Sequence, residues 1–346
     1  MNTIESASLR EASAAAALRP RLGFLGLGWI GTHRLAAIGR AGVAEIIAIA
    51  DPMDEMLAAA AQHAANALRF KNPDEVFNLG LDGIIIATPS AQHAQQCTAA
   101  LERGLAVFCQ KPLGRNTQEV SKVIAVARAA NRLLGVDLSY RYTEALRSIR
   151  QLVRQNELGE IFAVDLVFHN AFGPQKAWFY DRLHSGGGCV IDLGIHLVDA
   201  ALWILDQPIV GVTSRLLHHG KRIDQLEGIC EDYATARLDL ASGAAINLSC
   251  SWHLHAGRDA VIEASFYGTK GGAAMRNVNG SFYDFIAERF NSTSREVLAA
   301  PPDEWFGRAA VEWACRLARD PTFDPEIERI IEVASAIDAI YENANL

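Results

Sequence analysis

The chain has 346 residues, of which 50% are hydrophobic and 21% are charged. This length suggests about two domains with real cores and excludes a fibre, a peptide hormone and a disulfide-stapled miniprotein. Lysine and arginine total 32, aspartate and glutamate total 40, and the net charge is −8. This acidic balance, with no block of like charges, argues against nucleic acid or an anionic membrane as the main partner.

Residues 1–20 are rich in alanine and are interpreted as a tail, flexible or loosely helical, because their apolar runs are too short for a signal peptide. The six cysteines lie far apart with no C-x-x-C pair, which predicts buried thiols in a reducing compartment. The longest apolar segment, Cys189 to Leu205, contains two aspartates and a histidine, so we predict no membrane span. We therefore expect a cytoplasmic protein.

Residues 21–140 alternate short apolar runs with amphipathic segments, which predicts an α/β domain of Rossmann type around a parallel sheet. The apolar run Ile84 to Ile86 is typical of a parallel strand that is buried on both faces. The predicted strands are Leu22 to Leu25, Ile46 to Ala50, Gly83 to Ala87, Ala106 to Cys109 and Leu133 to Asp137. The predicted helices are Ile30 to Ile38, Met53 to Ala67, Ala91 to Arg103 and Thr117 to Ala129.

Residues 141–346 show longer runs of two-residue alternation, which predicts an α+β domain with an open, mostly antiparallel sheet. We expect the uncovered sheet face to form a homodimer or homotetramer, and the last helix to pack back on the Rossmann domain. The predicted strands are Ile161 to His169, Tyr233 to Leu240, Ala244 to Trp252 and Ala260 to Phe266. The predicted helices are Thr143 to Gln155, Pro302 to Arg319 and Pro325 to Tyr341.

A glycine motif follows the first predicted strand and opens the first predicted helix. It fits G-x-G-x-x-G, the pattern that lets a backbone turn tightly and approach a pyrophosphate at a helix N-terminus. Its residues are Gly26, Leu27, Gly28, Trp29, Ile30 and Gly31. Asp51 ends the second strand at the place for a carboxylate that accepts hydrogen bonds from an adenosine ribose.

The same carboxylate should repel a 2′-phosphate, and no Arg or Lys follows it in residues 52–56. The sequence therefore predicts NAD(H) in preference to NADP(H). The alternative interpretation is a glycine-rich turn, with Asp51 merely starting a turn before Pro52.

Lys111 is one of only six lysines and lies between Gln110 and Pro112, directly after an apolar strand. Ligands of an open parallel sheet bind beyond the carboxyl ends of its strands, where this ammonium would lie. The alternative is a solvated loop lysine.

Asp192 and His196 are four residues apart and follow the triple glycine 186–188, so a helix would present both on one face. A carboxylate and an imidazole placed in this way can hold a substrate hydroxyl and take its proton. The alternative is a structural pair in the core.

Together these pieces resemble the Gfo/Idh/MocA family of oxidoreductases, from Arg21 to the end of the chain. The matching pieces are Gly26 to Gly31 with His33, Thr88 and Pro89 with His93, Gln110 to Pro112, Gly186 to His196 with Asp199, and Gly268 to Gly271. The resemblance implies a Rossmann domain, a second domain with an open sheet, and reversible oxidation of a secondary alcohol, commonly on a sugar or cyclitol.

The resemblance also implies roles for single residues. Lys111 would lie between nicotinamide and substrate, His196 would be the acid or base, and Asp192 would orient the substrate. The family usually has Glu where this chain has Gln110, which can bond a ribose hydroxyl but cannot pair with Lys111. Ser90 likewise replaces a frequent Asn. The implied cofactor contacts include Thr88, Pro89, His93, Gln110 and Lys111.

Several aromatic and charged residues are candidates for the substrate wall, because aromatic faces pack on sugar rings and Arg and Asp can hydrogen-bond hydroxyl groups. These are Tyr140, Arg141, Trp178 and Tyr180, with Asp181 and Arg182 beside them. His253 and His255 face the same side of one strand, but no Cys or carboxylate has matching spacing, so we expect no metal.

The leading hypothesis is a dehydrogenase that uses NAD and acts on a polyol, cyclitol or sugar derivative. One alternative is glycoside cleavage through transient oxidation by bound NAD, and another is an NAD-binding sensor without catalysis. The sequence leaves open the substrate, its reacting carbon, the direction of reaction and the number of subunits.

Overall fold

The computed structural model describes residues 19–223 and 228–344, so nearly all of the predicted tail, residues 1–20, lies outside the described residues. The strands are β1 Arg21–Leu25, β2 Glu45–Ala50, β3 Leu68–Phe70, β4 Gly83–Ile86, β5 Ala106–Gln110, β6 Leu134–Asp137, β7 Ile161–Asn170, β8 Ile209–His218, β9 Lys221–Arg222, β10 Tyr233–Leu240, β11 Ala245–Ser251, β12 Ala260–Gly268, β13 Gly272–Asn277, β14 Phe285–Asn291 and β15 Ser294–Ala299. The α-helices are α1 Trp29–Ala41, α2 Asp54–Ala60, α3 Ser90–Glu102, α4 Thr117–Ala130, α5 Glu144–Arg154, α6 Arg182–Ser185, α7 Ile195–Leu205, α8 Arg308–Leu317 and α9 Ile330–Glu342.

The first sheet contains strands β1 to β6 in the order β3-β2-β1-β4-β5-β6, and all its pairs are parallel. Ile84 to Ile86 are at most 1% exposed, as expected for a strand covered by helices on both faces. The predicted Rossmann-type α/β class is confirmed, and the five predicted strands all form. The short strand β3 was missed, and α2 ends seven residues earlier than the predicted Met53 to Ala67.

The second sheet contains strands β7 to β15 in the order β15-β14-β13-β12-β7-β11-β10-β8-β9. Its pairs are antiparallel except for β7 with β11, which confirms the predicted mostly antiparallel sheet. Strands β8, β9, β13, β14 and β15 were not predicted. Along β7, Val164, Leu166 and Phe168 are buried and alternate with half-buried residues, so one face packs on helices.

The two C-terminal helices join the parts of the molecule. Helix α9 contacts α4 of the N-terminal part and also β8 and α7. Helix α8 lies against α1 and the first sheet, where the indole of Trp313 is 5.6 Å from the ring of Phe108. Side chains on Gly83 and Gly135 would collide with Trp313. Helix α8 thus completes the core beneath the first sheet, a role that the sequence did not predict, and it is shorter than the predicted Pro302 to Arg319.

The helical stretch Arg182–Leu205 is long and apolar enough to cross a membrane by length and composition alone. However, 78% of its most apolar window is buried inside the protein. The side chains of Leu197, Val198 and Ile204 are part of the core under the second sheet. Packing in that core therefore accounts for the apolar composition of this stretch.

Candidate active site

A cleft of about 610 Å³ lies between the carboxyl ends of the first sheet and the helices of the C-terminal part. Its volume is in the usual range for small-molecule sites, and its lining is mainly apolar with a few converging polar groups. The lining residues include Gly28, Trp29, Ile30, Thr88, His93, Gln110, Lys111, Trp178, Phe179, Gly187, Asp192 and His196. The cleft therefore brings most of the predicted cofactor and catalytic residues together.

The glycine turn forms one wall of the cleft, and its geometry requires glycine. Gly26 has a φ of +81°, and a Cβ atom there would lie 2.6 Å from backbone atoms of Ala87. A Cβ atom on Gly31 would lie 2.0 Å from the carbonyl oxygen of Gly26. Gly28 caps α1 without a side-chain bond, and the first turn has no acidic residue. The first amides of α1 are thus available to an anion.

Asp51 follows β2 beside the glycine turn. Its Oδ2 accepts a hydrogen bond of 2.8 Å from the amide of Leu27, and its Oδ1 accepts one of 3.0 Å from the amide of Met53. The carboxylate therefore also holds the glycine turn in place. Trp29, on the first turn of α1, is 54% exposed and contacts the ring of Phe306 from the C-terminal part.

Lys111 and Asp192 form an ion pair in the cleft. The ammonium donates to Oδ1 of Asp192 at 2.9 Å and to its backbone carbonyl oxygen at 2.6 Å. The indole of Trp252 donates to Oδ2 of the same carboxylate at 3.1 Å. Asp192 lies in a π-helical turn, Val190–Gly194, a distortion that often occurs at functional sites. The carboxylate is thus fixed from two sides.

His196 lies in the first turn of α7 and lines the same cleft. Its Nδ1 atom is buried and has no hydrogen-bond partner in the part of the chain that the structure describes. Burial lowers the pKa of His196 well below its ordinary value, and the charges of Lys111 and Arg34 lower it further. The imidazole is therefore neutral near pH 7, which is the form that accepts a proton.

His93 connects the loop after β4 with the loop after β5 at the wall of the cleft. Both ring nitrogens of His93 lie 2.7 Å from carbonyl oxygens, one of Thr88 and one of Pro112. His93 is 1% exposed, and burial lowers its pKa. The side-chain oxygen of Gln110 accepts a hydrogen bond of 2.7 Å from the amide of Lys111. Of the family's implied cofactor contacts, His93 thus supports the loops, whereas the side-chain amide of Gln110 is oriented by the backbone and keeps its N–H donors for a ligand.

A buried glutamate holds the triple-glycine segment before the π-helical turn. Glu231 is fully buried and accepts hydrogen bonds of 2.9 Å from the amides of Gly188 and Val190 and from the hydroxyl of Tyr341. Burial raises the pKa of this carboxyl, while its three donors oppose that rise. A Cβ atom on Gly187 would lie 2.0 Å from the Tyr341 hydroxyl. This packing sets the position of the segment that carries Asp192.

The predicted substrate wall is only partly assembled at the cleft. Trp178 lines it, stacked on Phe179 with ring centroids 3.8 Å apart, and Tyr180 lies beside it in an edge-to-face contact with Trp252. Tyr140 and Arg141 do not line the cleft, contrary to the expectation. Tyr140 is buried behind His196 with its ring centroid 4.9 Å away, within an aromatic cluster. The guanidinium of Arg141 instead pairs with the buried carboxylate of Asp199.

Sequence reasoning missed Trp252, Phe179 and Glu231. Trp252 follows β11, and no local pattern showed that its indole would reach Asp192, which is 60 positions earlier. Glu231 lies in an irregular segment, where a lone acidic residue suggests solvent exposure. Phe179 was available as a signal, because it stands between two residues that were proposed for the wall.

Comparison with protein families gives two matches that together cover most of the chain. Residues 20–138 match the oxidoreductase family with an NAD-binding Rossmann fold. Residues 146–274 match the GFO/IDH/MocA C-terminal domain.

Curated relatives include the rhizopine catabolism protein MocA of Rhizobium meliloti, which is 29% identical over 55% of this chain and 58% of its own length. The D-glucoside 3-dehydrogenase of Escherichia coli K12 is 26% identical over 67% of this chain and 69% of its own length. The inositol 2-dehydrogenase of Rhizobium meliloti strain 1021 is 27% identical over 74% of this chain and 76% of its own length. The chain thus spans about three fifths to three quarters of the length of these relatives.

Solved structures share the fold over nearly the whole chain. A levoglucosan dehydrogenase in complex with NADH and L-sorbose has a TM-score of 0.78 at 20% identity, with 94% of this chain and 96% of that one covered. The 3-ketoreductase KijD10 of Actinomadura kijaniata, in complex with NADP, has a TM-score of 0.80 at 20% identity, with 94% and 97% covered. The two family matches and the shared fold lead to one conclusion: the chain belongs to the Gfo/Idh/MocA family of oxidoreductases.

Proposed function

We propose that this protein is a dehydrogenase that uses NAD(H) and oxidises a secondary hydroxyl group of a sugar, sugar derivative or cyclitol, reversibly. One observation carries the proposal: the ion pair of Lys111 with Asp192 and the neutral imidazole of His196 line the same cleft as the glycine turn at Gly28. The N-terminus of α1, which can bind an anion, and the imidazole of His196, which can act as an acid or base, therefore line the same cleft. The names of the relatives, which act on glucosides and inositol, support this substrate class.

The residues present fit a dinucleotide. The turn at Gly26 to Gly31 leaves the first amides of α1 to a pyrophosphate, while Asp51 at the end of β2 would hold the adenosine ribose. Thr88, Pro89 and Gln110 would line the path toward Lys111. When bound, NAD+ supplies the acceptor for a hydride. We propose NAD(H) over NADP(H) because the carboxylate of Asp51 would repel a 2′-phosphate and no Arg or Lys follows it in residues 52–56.

Lys111, His196 and Asp192 have separate roles toward the substrate. Lys111 has three N–H donors, of which two bond Asp192, and the third remains for the oxygen that reacts. Its positive charge stabilises negative charge that develops on that oxygen. His196, neutral at working pH, takes the hydroxyl proton during oxidation and returns it during reduction. Asp192, fixed by Trp252, keeps Lys111 in position and accepts a hydrogen bond from a neighbouring hydroxyl.

The test is an assay of the purified protein with NAD+ and a panel of sugars, sugar acids and inositols, followed by the absorbance of NADH. We expect sustained NADH production with at least one polyol, and none from the variant His196→Asn. Cleavage of a glycoside without accumulation of NADH would replace the proposal with redox-neutral chemistry on the same scaffold. Binding of NADH without turnover on any polyol, sugar acid or glycoside would indicate a sensor.

Two further expectations remain proposals. We propose that the outer face of the second sheet, which carries Asp165, Arg215, Arg237, Asn247 and Glu263, mediates assembly into a homodimer or homotetramer. Light scattering would show the mass of the assembly. We also propose a cytoplasmic location, where the six cysteines, all free in the structure, would stay reduced. The proposed chemistry requires no metal.

A further inference from the structure

The C-terminal part places a positive charge directly over the glycine turn. The segment between β7 and α6 crosses the cleft, and the Nζ atom of Lys176 lies 3.0 Å from the position that a Cβ atom on Gly28 would occupy. Gly28 is the glycine whose missing side chain lets a ligand approach the backbone. Apart from Gly28 itself and its two chain neighbours, this ammonium contributes the only heavy atom of the described residues within 4 Å of that position.

In the described part of the chain, Lys176 has no partner that would explain its position. Among residues 19–223 and 228–344, its ammonium takes part in no ion pair or side-chain hydrogen bond. By contrast, Lys111, in the same cleft, is paired with Asp192. The first turn of α1 next to Lys176 contains no acidic residue either. An unpaired ammonium beside the positive end of a helix is electrostatically unfavourable until an anion lies between them.

We infer that Lys176 is a positioning residue that clamps the pyrophosphate of the cofactor against the glycine turn at Gly28. This inference rests on the proposed function, because it takes NAD(H) as the ligand of the cleft. A dinucleotide pyrophosphate carries two negative charges, to which the amides of α1 contribute partial charges and Lys176 contributes a full one.

The clamp connects the cofactor to the substrate wall. Trp178 and Phe179 follow Lys176 by two and three residues, lie in the same 3₁₀-helical turn region and line the cleft. The backbone amide of Phe179 donates a hydrogen bond of 3.1 Å to the carbonyl oxygen of Lys176. A contact between Lys176 and the pyrophosphate would thus also hold Trp178 and Phe179 in place. Cofactor binding would then position these two rings for the sugar.

Binding measurements without turnover test the clamp. The proteins are the wild type, Lys176→Ala, Lys176→Arg and the matched control Lys122→Ala, whose exposed lysine lies on α4 away from the cleft. NADH binding is measured by fluorescence, and ADP-ribose and adenosine are measured as competitors. For Lys176→Ala we expect dissociation constants for NADH and ADP-ribose about tenfold higher, as for loss of one charged hydrogen bond, with adenosine unchanged. Lys176→Arg should restore most of the affinity.

The outcomes separate this inference from the proposed function. If Lys176→Ala binds ADP-ribose as tightly as the wild type does, the clamp is wrong while the dehydrogenase proposal stands. If adenosine binding weakens by the same factor as ADP-ribose binding, Lys176 supports the cleft in general and the clamp is again wrong. If the wild type binds neither NADH nor ADP-ribose, the proposed function fails, and the clamp fails with it.

Discussion

The ammonium of Lys111 donates hydrogen bonds to both the carboxylate and the backbone carbonyl of Asp192, at 2.9 and 2.6 Å. This contact joins the loop after β5 to the π-helical turn of the C-terminal part. Both residues are less than one fifth exposed, so solvent screens their attraction only in part.

Replacing Lys111 by alanine should lower kcat by a factor of about 10² to 10³, because the reacting oxygen loses a positive hydrogen-bond donor. Binding of NADH should change little, since the glycine turn is intact. Steady-state kinetics and NADH fluorescence check both parts. The control Lys122→Ala should behave as the wild type, and an undiminished kcat in Lys111→Ala would exclude the assigned role.

The pH dependence of oxidation should follow His196. Its pKa lies well below 6.5, so the imidazole that accepts the proton is present throughout neutral pH and is lost only as pH falls through that lowered value. kcat/KM for oxidation should therefore stay level from pH 8 to pH 6.5 and decline below it. Reduction needs the protonated imidazole, so its rate should fall as pH rises. An acid limb centred at or above pH 6.5 would contradict the assignment.

The carboxylate of Asp51 should determine the choice of cofactor. We expect the wild type to bind NADH more tightly than NADPH, because a 2′-phosphate would lie against this negative charge. In Asp51→Asn, the preference for NADH over NADPH, measured as the ratio of the two dissociation constants, should fall about tenfold. The reason is that the variant lacks the negative charge that repels the 2′-phosphate. Asp54→Asn, at an exposed residue of the next helix, serves as control. Equal affinities in the wild type would contradict the prediction.

Glu231 should matter for stability and, through the glycine segment, for activity. In Glu231→Gln the amide group would turn a donor toward a backbone N–H of Gly188 or Val190, which should reduce the free energy of unfolding by about 1–3 kcal/mol. Urea denaturation gives this value. Tyr341→Phe, which removes one donor to Glu231 and the acceptor of the hydrogen bond from the amide of Ile191, should also lower the free energy of unfolding. A Gln variant as stable as the wild type would show that these bonds contribute little.

Much of the fold was predictable because its signals are local. Apolar runs such as Ile84 to Ile86 and the spacing of the glycine motif depend on neighbours in sequence. Strands β13 to β15 were missed since their burial depends on pairing with each other and with β12, which no single segment shows. The packing of helix α8 against the first sheet was not predicted for the same reason.

The residues of the candidate site were likewise predictable only where the sequence signal is local. Lys111, Asp192 and His196 could be proposed because each stands next to a recognisable turn or glycine segment. Trp252 and Lys176 could not, since their relevance comes only from contacts across the cleft. Tyr140 and Arg141 lie at the predicted domain boundary, but neither lines the cleft. Arg141 pairs with the buried carboxylate of Asp199, and Tyr140 packs in the aromatic cluster behind His196.

Helix α8 has a consequence for engineering. Its Trp313 fills the space over Gly83 and Gly135, and its neighbour Phe306 receives a hydrogen bond from Arg34 of α1 at its carbonyl. A fragment truncated after Tyr140 would leave the underside of the nucleotide fold open, with Phe108 facing water. Chimeras that exchange the nucleotide half between homologues must therefore carry residues 305–317 along with it, although the 164 residues 141–304 intervene in the chain.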